Sequence, residues 1–233
     1  MKDREIDEIL KQAATTPHQV NPALLDRIAS SIGASLGPVR PLPPPWLLTA
    51  GLAIACAAVA LAGAAHFGLY GLHKLSALER RLIFSALGIQ IWLAAVACVS
   101  ERIPGSRRHV APGFPLAAGS LAMLAIFAIL FRDYGTGHFV SQGIPCLTAG
   151  LLHAIPAALA SWFILKRGFA VNPVSAGLAA GTLAGLAGVT MLELHCPNLQ
   201  AAHVMLWHIA VMPVSGAAGA LLGRMGRSRA LRS

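Results

Sequence analysis

Charge is scarce in this chain. Only 12% of its 233 residues are Asp, Glu, Lys or Arg, against 56% hydrophobic, whereas a soluble domain carries about a quarter charged residues. That shortage excludes an ordinary soluble domain and implies a polytopic membrane protein. Acids are scarcer than bases, 9 against 18, for a formal net charge of +9. In a soluble chain this excess would suggest nucleic acid. Here the bases fall between apolar runs, so their distribution matters more than their sum, and no direct nucleic-acid partner is implied. The first 45 residues lack an apolar stretch behind a positive end, which argues against a cleavable secretory signal and leaves insertion to the first span. There are four cysteines, none in a C-x-x-C pair, and nothing resembles a Ser-His-Asp set, a phosphate loop or a helix-borne metalloprotease motif. No enzymatic activity is expected.

What is present is a series of six apolar runs: Trp46 to Leu69, Leu82 to Val99, Pro112 to Phe131, Ile144 to Leu165, Val174 to Leu194 and Ala201 to Gly223. Each is near the roughly 20 residues that a helix needs to cross a bilayer. The fold expected is therefore all-α, a six-helix transmembrane bundle over residues 46–223, with a partly helical N-terminal segment (1–45) and a basic tail (224–233). Six spans put both termini on one side. Lys2, Arg4, Lys11, Arg27, Arg40, Arg102, Arg107, Arg108, Lys166, Arg167, Arg224, Arg227, Arg229 and Arg232 then share that side, against Lys74, Arg80, Arg81 and Arg132 opposite. By the positive-inside rule both termini are cytoplasmic, in the inner membrane of a bacterial-type cell.

The N-terminal segment is of another kind, with five acids and five bases in 45 residues. Ile6, Ile9 and Leu10 repeat at helical spacing, and after a break Asn21 can cap a second helix with Pro22 in its first turn and Leu24, Leu25, Ile28, Ile32 and Leu36 on one stripe. "PVRPLPPPW" then makes a stiff tether into the first span. Two short amphipathic helices cannot bury their own apolar faces. They either lie on the membrane or dock on a partner as helices in a groove, and their mixed-sign polar faces argue against the lipid surface.

The chemistry-bearing residues collect at the outer rim. "ELHCPNLQAAHVMLWH" (Glu193 to His208) crosses the outer face between spans five and six, and "GIPCL" places Cys146 at the same level as Cys196. Cys146 in the first turn of span four would have its thiolate favoured by the helix dipole, and Cys196 at the end of span five would not. In a redox pair, Cys146 would attack and Cys196 would be its partner. The same groups suit a soft metal, with Cys146, Cys196 and His203 the candidate ligands and His138, His153, Glu193, His195 and His208 in support. No finger or ribbon spacing is present, and adjacent His195 and Cys196 would point apart on a helix. A transient soft metal aside, no cofactor is expected. Cys56 and Cys98 read as small apolar fillers. Gly177, Gly181 and Gly185, with Gly219 and Gly223, form the small-residue pattern of close helix packing.

"GIPCLTAGLLHAIPAALASWFILKRG", "NPVSAGLAAGTLAGLAG", "LHCPN" and "LWH", together with the six-span layout, resemble the NrsF family of membrane-bound negative regulators of sigma-F and similar extracytoplasmic-function sigma factors. The resemblance implies an anti-sigma factor. Its cytoplasmic part would hold a sigma factor, and two outward cysteines, matched here by Cys146 and Cys196, would be linked to sensing metal or oxidative stress. Ile6, Ile9, Leu10, Leu24, Leu25, Ile28 and Ile32 would then be the partner surface. The rival reading is a membrane thiol-disulfide oxidoreductase with an outward dithiol, to which the missing C-x-x-C is unfavourable. A metal transporter ranks last, because spans two and three offer only Gln90 and Ser120 near the midplane. The partners implied are a sigma factor and the lipid bilayer, with a homo-oligomer left open.

Overall fold

The computed structural model describes residues 7, 8, 11, 21–35, 41–103, 105, 110–137, 139–166 and 168–230. Among them every regular element is helical. There are two compact units, residues 1–41 and 42–233.

The described helix of the first unit is α1, Pro22–Ser35. It starts as its sequence predicts: Asn21 Oδ1 accepts the Ala23 N–H at 3.0 Å and the Asn21 carbonyl accepts those of Leu24 and Leu25. Leu24, Leu25, Ile28 and Ile32 are all about half exposed. The expected earlier helix with Ile6, Ile9 and Leu10 lies outside the described residues.

The second unit is a helical bundle. In chain order it contains α2 (Pro45–Phe67), the short α3 (Tyr70–Lys74), α4 (Ala77–Ser100), α5 (Phe114–Leu130), α6 (Phe139–Leu165), α7 (Pro173–His195), α8 (Ala201–His203) continuing into a π-helical turn (Val204–His208), and α9 (Val211–Ala230). Local signals set several starts. Ser76 and Glu79 form a reciprocal capping box on α4, and Asn172 caps α7 with Pro173 in its first turn.

Among the described residues, five helices are long and apolar enough to cross a membrane: Pro45–Phe67, Ala77–Ser100, Phe139–Leu165, Pro173–His195 and the continuous stretch Ala201–Gly226. The third predicted run forms the shorter α5, 17 residues from Phe114 to Leu130. At 1.5 Å per residue that is about 25 Å, against a hydrocarbon core of about 30 Å. The six predicted runs are thus five full-length helices and one short one. The lipid environment is also written on the surface, where Ile54, Leu61, Ile89, Leu121, Ile129, Leu152, Leu159 and Phe163 are each more than half exposed. A water-soluble bundle would hide such residues.

The fourth run also differs from expectation. Its helix does not open at Pro145 but at Phe139, so Pro145 and Pro156 both lie inside α6. Proline is a good first-turn residue, which suggested the later start. Tertiary contact extends the helix upstream: Phe139 lies 5.4 Å from Trp207 between ring centroids, and Gly143 backs directly onto the same indole.

Helix α7 is the centre of the bundle, in contact with α2, α4, α6 and α9. Every residue from Gly181 to Val189 is buried, as expected of a helix apolar all round. Along its first half Gly177 and Gly181 meet the backbones of Gly219 and Ser215 of α9, and Gly223 meets Pro173. No side chain fits between these helices, which is the close approach that the glycine spacing predicts.

Candidate functional site

At the far end of α7 the packing changes from small apolar to polar. The helix ends at His195, and Cys196 leaves it in extended conformation (φ −71°, ψ 118°). That change of direction separates the two neighbours. His195 turns toward α2, its Nδ1 at 3.0 Å from the Gly68 carbonyl and its ring against Phe67 and Tyr70. Gly68 has φ +102°, a conformation that a side chain would strain, and it turns the chain from α2 into α3. Cys196 turns the other way, into a cluster.

The cluster starts with the two thiols. Cys146 Sγ and Cys196 Sγ are 3.6 Å apart, unbridged. Cys196 Sγ is also 3.6 Å from His203 Nε2. His203 and His208 face each other edge to face, centroids 5.2 Å apart, and His208 Nδ1 donates to Glu193 Oε1 at 2.6 Å. One ligand atom from each of Cys146, Cys196, His203 and His208 lies within 4.8 Å of all the others. Cys146 is half-buried; Cys196, His203, His208 and Glu193 are buried. Two ring nitrogens are orphaned, His203 Nδ1 and His208 Nε2, an uncommon state for buried polar atoms. The Cys196 thiol is pushed above the ordinary range, first by its hydrogen bond to Cys146 and then by burial, with the two histidines pulling against both.

The backbone near the site is closely fitted. A Cβ on Gly71 would lie 2.7 Å from the carbonyl oxygens of both Cys196 and Glu193, so α3 reaches the end of α7 only because residue 71 has no side chain. The Pro197–Gln200 turn is held by Asn198 donating to Gln142 Oε1 at 2.8 Å and by the Ala201 N–H donating to the Asp133 carbonyl at 2.7 Å. A depression whose lining includes Lys74, Asp133, Gln142, Asn198 and Gln200 opens beside this turn.

The structure therefore brings together Cys146, Cys196, His203, His208 and Glu193 among the predicted residues. It does not bring in His195, which bonds to Gly68, or His153, whose Nδ1 is 2.8 Å from the Ala149 carbonyl and whose ring lies against Phe67. His138 lies outside the described residues. Cys146 is not in a first turn: α6 begins at Phe139, two turns earlier, so the dipole argument for its reactivity gives way to its contact with Cys196. Sequence reasoning missed the Glu193–His208 pair, fifteen positions apart, and the roles of Gln142 and Asp133 in holding the turn. Cys56 and Cys98 are buried in the core, away from water.

Comparison with known proteins decides the family. The family described as "Negative regulator of sigma F", NrsF, matches residues 33–226. The chain belongs to the NrsF family. It is also 37% identical over 82 residues to the probable anti-sigma-F factor NrsF of Azospira oryzae, a match covering 35% of this chain and 38% of that protein. The aligned stretch is thus well under half of the relative. The family match begins at residue 33, so most of α1 lies before it. No solved structure matches the chain.

Proposed function

We propose that this protein is a membrane-bound anti-sigma factor that holds an extracytoplasmic-function sigma factor at the inner membrane and releases it when the outward Cys146–Cys196 pair is modified by a soft metal or an oxidant. Family membership supports a regulatory role rather than a catalytic one. The distribution of Lys and Arg supports cytoplasmic termini and an outward thiol pair. The half-exposed stripe of Leu24, Leu25, Ile28 and Ile32 has the form of a helix that docks in an apolar groove; Ile6, Ile9 and Leu10 would extend it.

The observation that carries the sensing half is the 3.6 Å separation of two thiols on different helices. Cys146 belongs to α6 and Cys196 ends α7, so any bond that joins them, directly or through an ion, sets the spacing of those two helices. A ligand shifts such an equilibrium only by its differential affinity for the two arrangements. Moving it from 1:99 to 99:1 needs about 5.5 kcal/mol, within reach of two new bonds to sulfur.

The test uses the full-length protein in membranes of cells that carry its partner. Capture should recover a sigma factor with the wild type and with Cys146→Ser, and lose it with Ile28→Asp, the membrane part remaining folded. Cadmium or diamide should release the partner from the wild type and not from Cys146→Ser. Recovery of a bound quinone with no sigma factor would instead support the thiol oxidoreductase.

A further inference from the structure

We infer that Cys146, Cys196, His203 and His208 form a closed four-ligand site for a thiophilic divalent ion of the zinc and cadmium type, with Glu193 as the positioning residue behind His208. The inference rests on the reading of the thiol pair as the responsive element, and it names what that element takes up.

The distances match a tetrahedron. With zinc bonds of about 2.3 Å to sulfur and about 2.0 to 2.1 Å to imidazole nitrogen, the edges of an S2N2 tetrahedron are about 3.8 Å between sulfurs and about 3.6 Å between sulfur and nitrogen. The Cys146–Cys196 edge is 3.6 Å and the Cys196–His203 edge is 3.6 Å. All four ligand atoms lie within 4.8 Å of one another, so the remaining edges exceed those of the tetrahedron by little more than about 1 Å at most.

The histidines supply the independent observation. His208 is 1% exposed. Its Nδ1 is committed to Glu193, which leaves Nε2 buried and without a hydrogen-bond partner. A carboxylate on one ring nitrogen with the metal on the other is the usual way a protein fixes the tautomer and orientation of a metal-binding histidine. A disulfide would use both sulfurs and leave this arrangement without a purpose. The π turn has the same sense. Two residues five apart sit about 140° apart on an α-helix, and only the wider turn over Val204–His208 brings both imidazoles to one face. The donor set, two soft thiolates and two imidazoles with no carboxylate in contact, selects against magnesium and calcium. On uptake each thiol gives its proton to solvent, and the charge of the ion is met by two thiolates.

The experiment is a cobalt(II) titration, with zinc competition, of purified full-length protein carrying Cys56→Ala and Cys98→Ala under reducing conditions. One ion per chain, with the intense visible bands of a tetrahedral thiolate complex and displacement by zinc, is the expected result. Cys146→Ser or Cys196→Ser should lower the thiolate charge-transfer band, and the double variant should abolish it. His208→Gln should weaken binding at least tenfold, and Glu193→Gln should weaken it by about 10- to 100-fold while leaving the spectrum tetrahedral. A purely structural role for Glu193 would change folding and not affinity at constant spectrum. Absence of a tetrahedral spectrum from monodisperse parent protein would overturn the site, as would equal affinity in the parent, His203→Gln and His208→Gln. The titration needs no sigma factor, so the two readings fail separately: binding without partner capture sinks the anti-sigma reading alone, and capture without binding sinks the metal site alone.

Discussion

Helix α7 meets its neighbours in opposite ways at its two ends. Toward its start, Gly177 and Gly181 lie directly on the backbone of α9, with no room for a Cβ between the two helices. At its finish, Glu193 and Cys196 join a cluster whose imidazoles keep two nitrogens unpaired. The first contact depends on the absence of side chains and tolerates almost nothing in addition. The second depends on particular side chains and has capacity left over. The comparison separates what holds the bundle together from what can respond, and it can be challenged from either end.

The largest effect is expected at the glycine seam. Gly181→Leu puts a side chain onto the Ser215 carbonyl, where the obstacle is backbone and cannot rotate away. Destabilisation of about 3 kcal/mol or more is expected, seen as loss of monodisperse protein and a lowered unfolding temperature in detergent. A variant as stable as the wild type would mean that α7 and α9 do not pack at this distance.

Next comes the buried pair at the other end. Glu193→Leu removes the acceptor of His208 and should cost about 1 to 3 kcal/mol. Glu193→Gln should cost less because an acceptor oxygen remains. A double-mutant cycle with His208→Gln should show coupling of about 0.5 kcal/mol or more; additive costs would mean that the two residues do not share a bond.

A smaller effect, readable by pH, distinguishes the two causes at Cys196. The thiolate is the reacting form, and a raised thiol holds its proton to higher pH. Alkylation of Cys196 at neutral pH should therefore be slower than that of an ordinary cysteine, and should still be rising above about pH 8.5, where a free thiol is half ionised. Cys146→Ala removes the largest cause of the raised value, so the midpoint should move down and labelling at fixed pH should speed up, as measured by site-resolved mass spectrometry. An unmoved midpoint would assign the effect to burial.

The smallest effect should come from Cys56→Ala and Cys98→Ala. Each deletes one buried sulfur, worth about 1 kcal/mol of burial, and neither should alter labelling or metal binding at Cys196. A changed response would extend the site into the core.

Much of this was legible in the sequence, for a specific reason. A bilayer admits few structures, since every backbone polar group at that depth must be satisfied within the chain. Apolar runs therefore became helices, and residues near the outer ends of the runs were expected at one level, which is why Cys146 and Cys196 could be paired from the sequence. The glycine spacing was legible because close helix contact has few other solutions in lipid. Where local signals competed with packing, reading failed: Pro145 looked like a helix start, yet Phe139 and Gly143 fold onto Trp207 and carry α6 two turns further back. α5 came out shorter than the run that predicts it.

The sequence by itself determined the environment, the helical class, the glycine seam and the presence of thiols and imidazoles at one rim, because each follows from composition or from the regular period of a helix. Tertiary structure alone decided which of those groups meet. Cys196 and His195 parted because the helix ends between them, and His208 joined His203 because the turn linking them is wider than an α-helix allows. Glu193 became the partner of His208, fifteen positions away in the chain, through contact between two helices. A regular period cannot encode such a departure from itself, so the site had to be found in three dimensions.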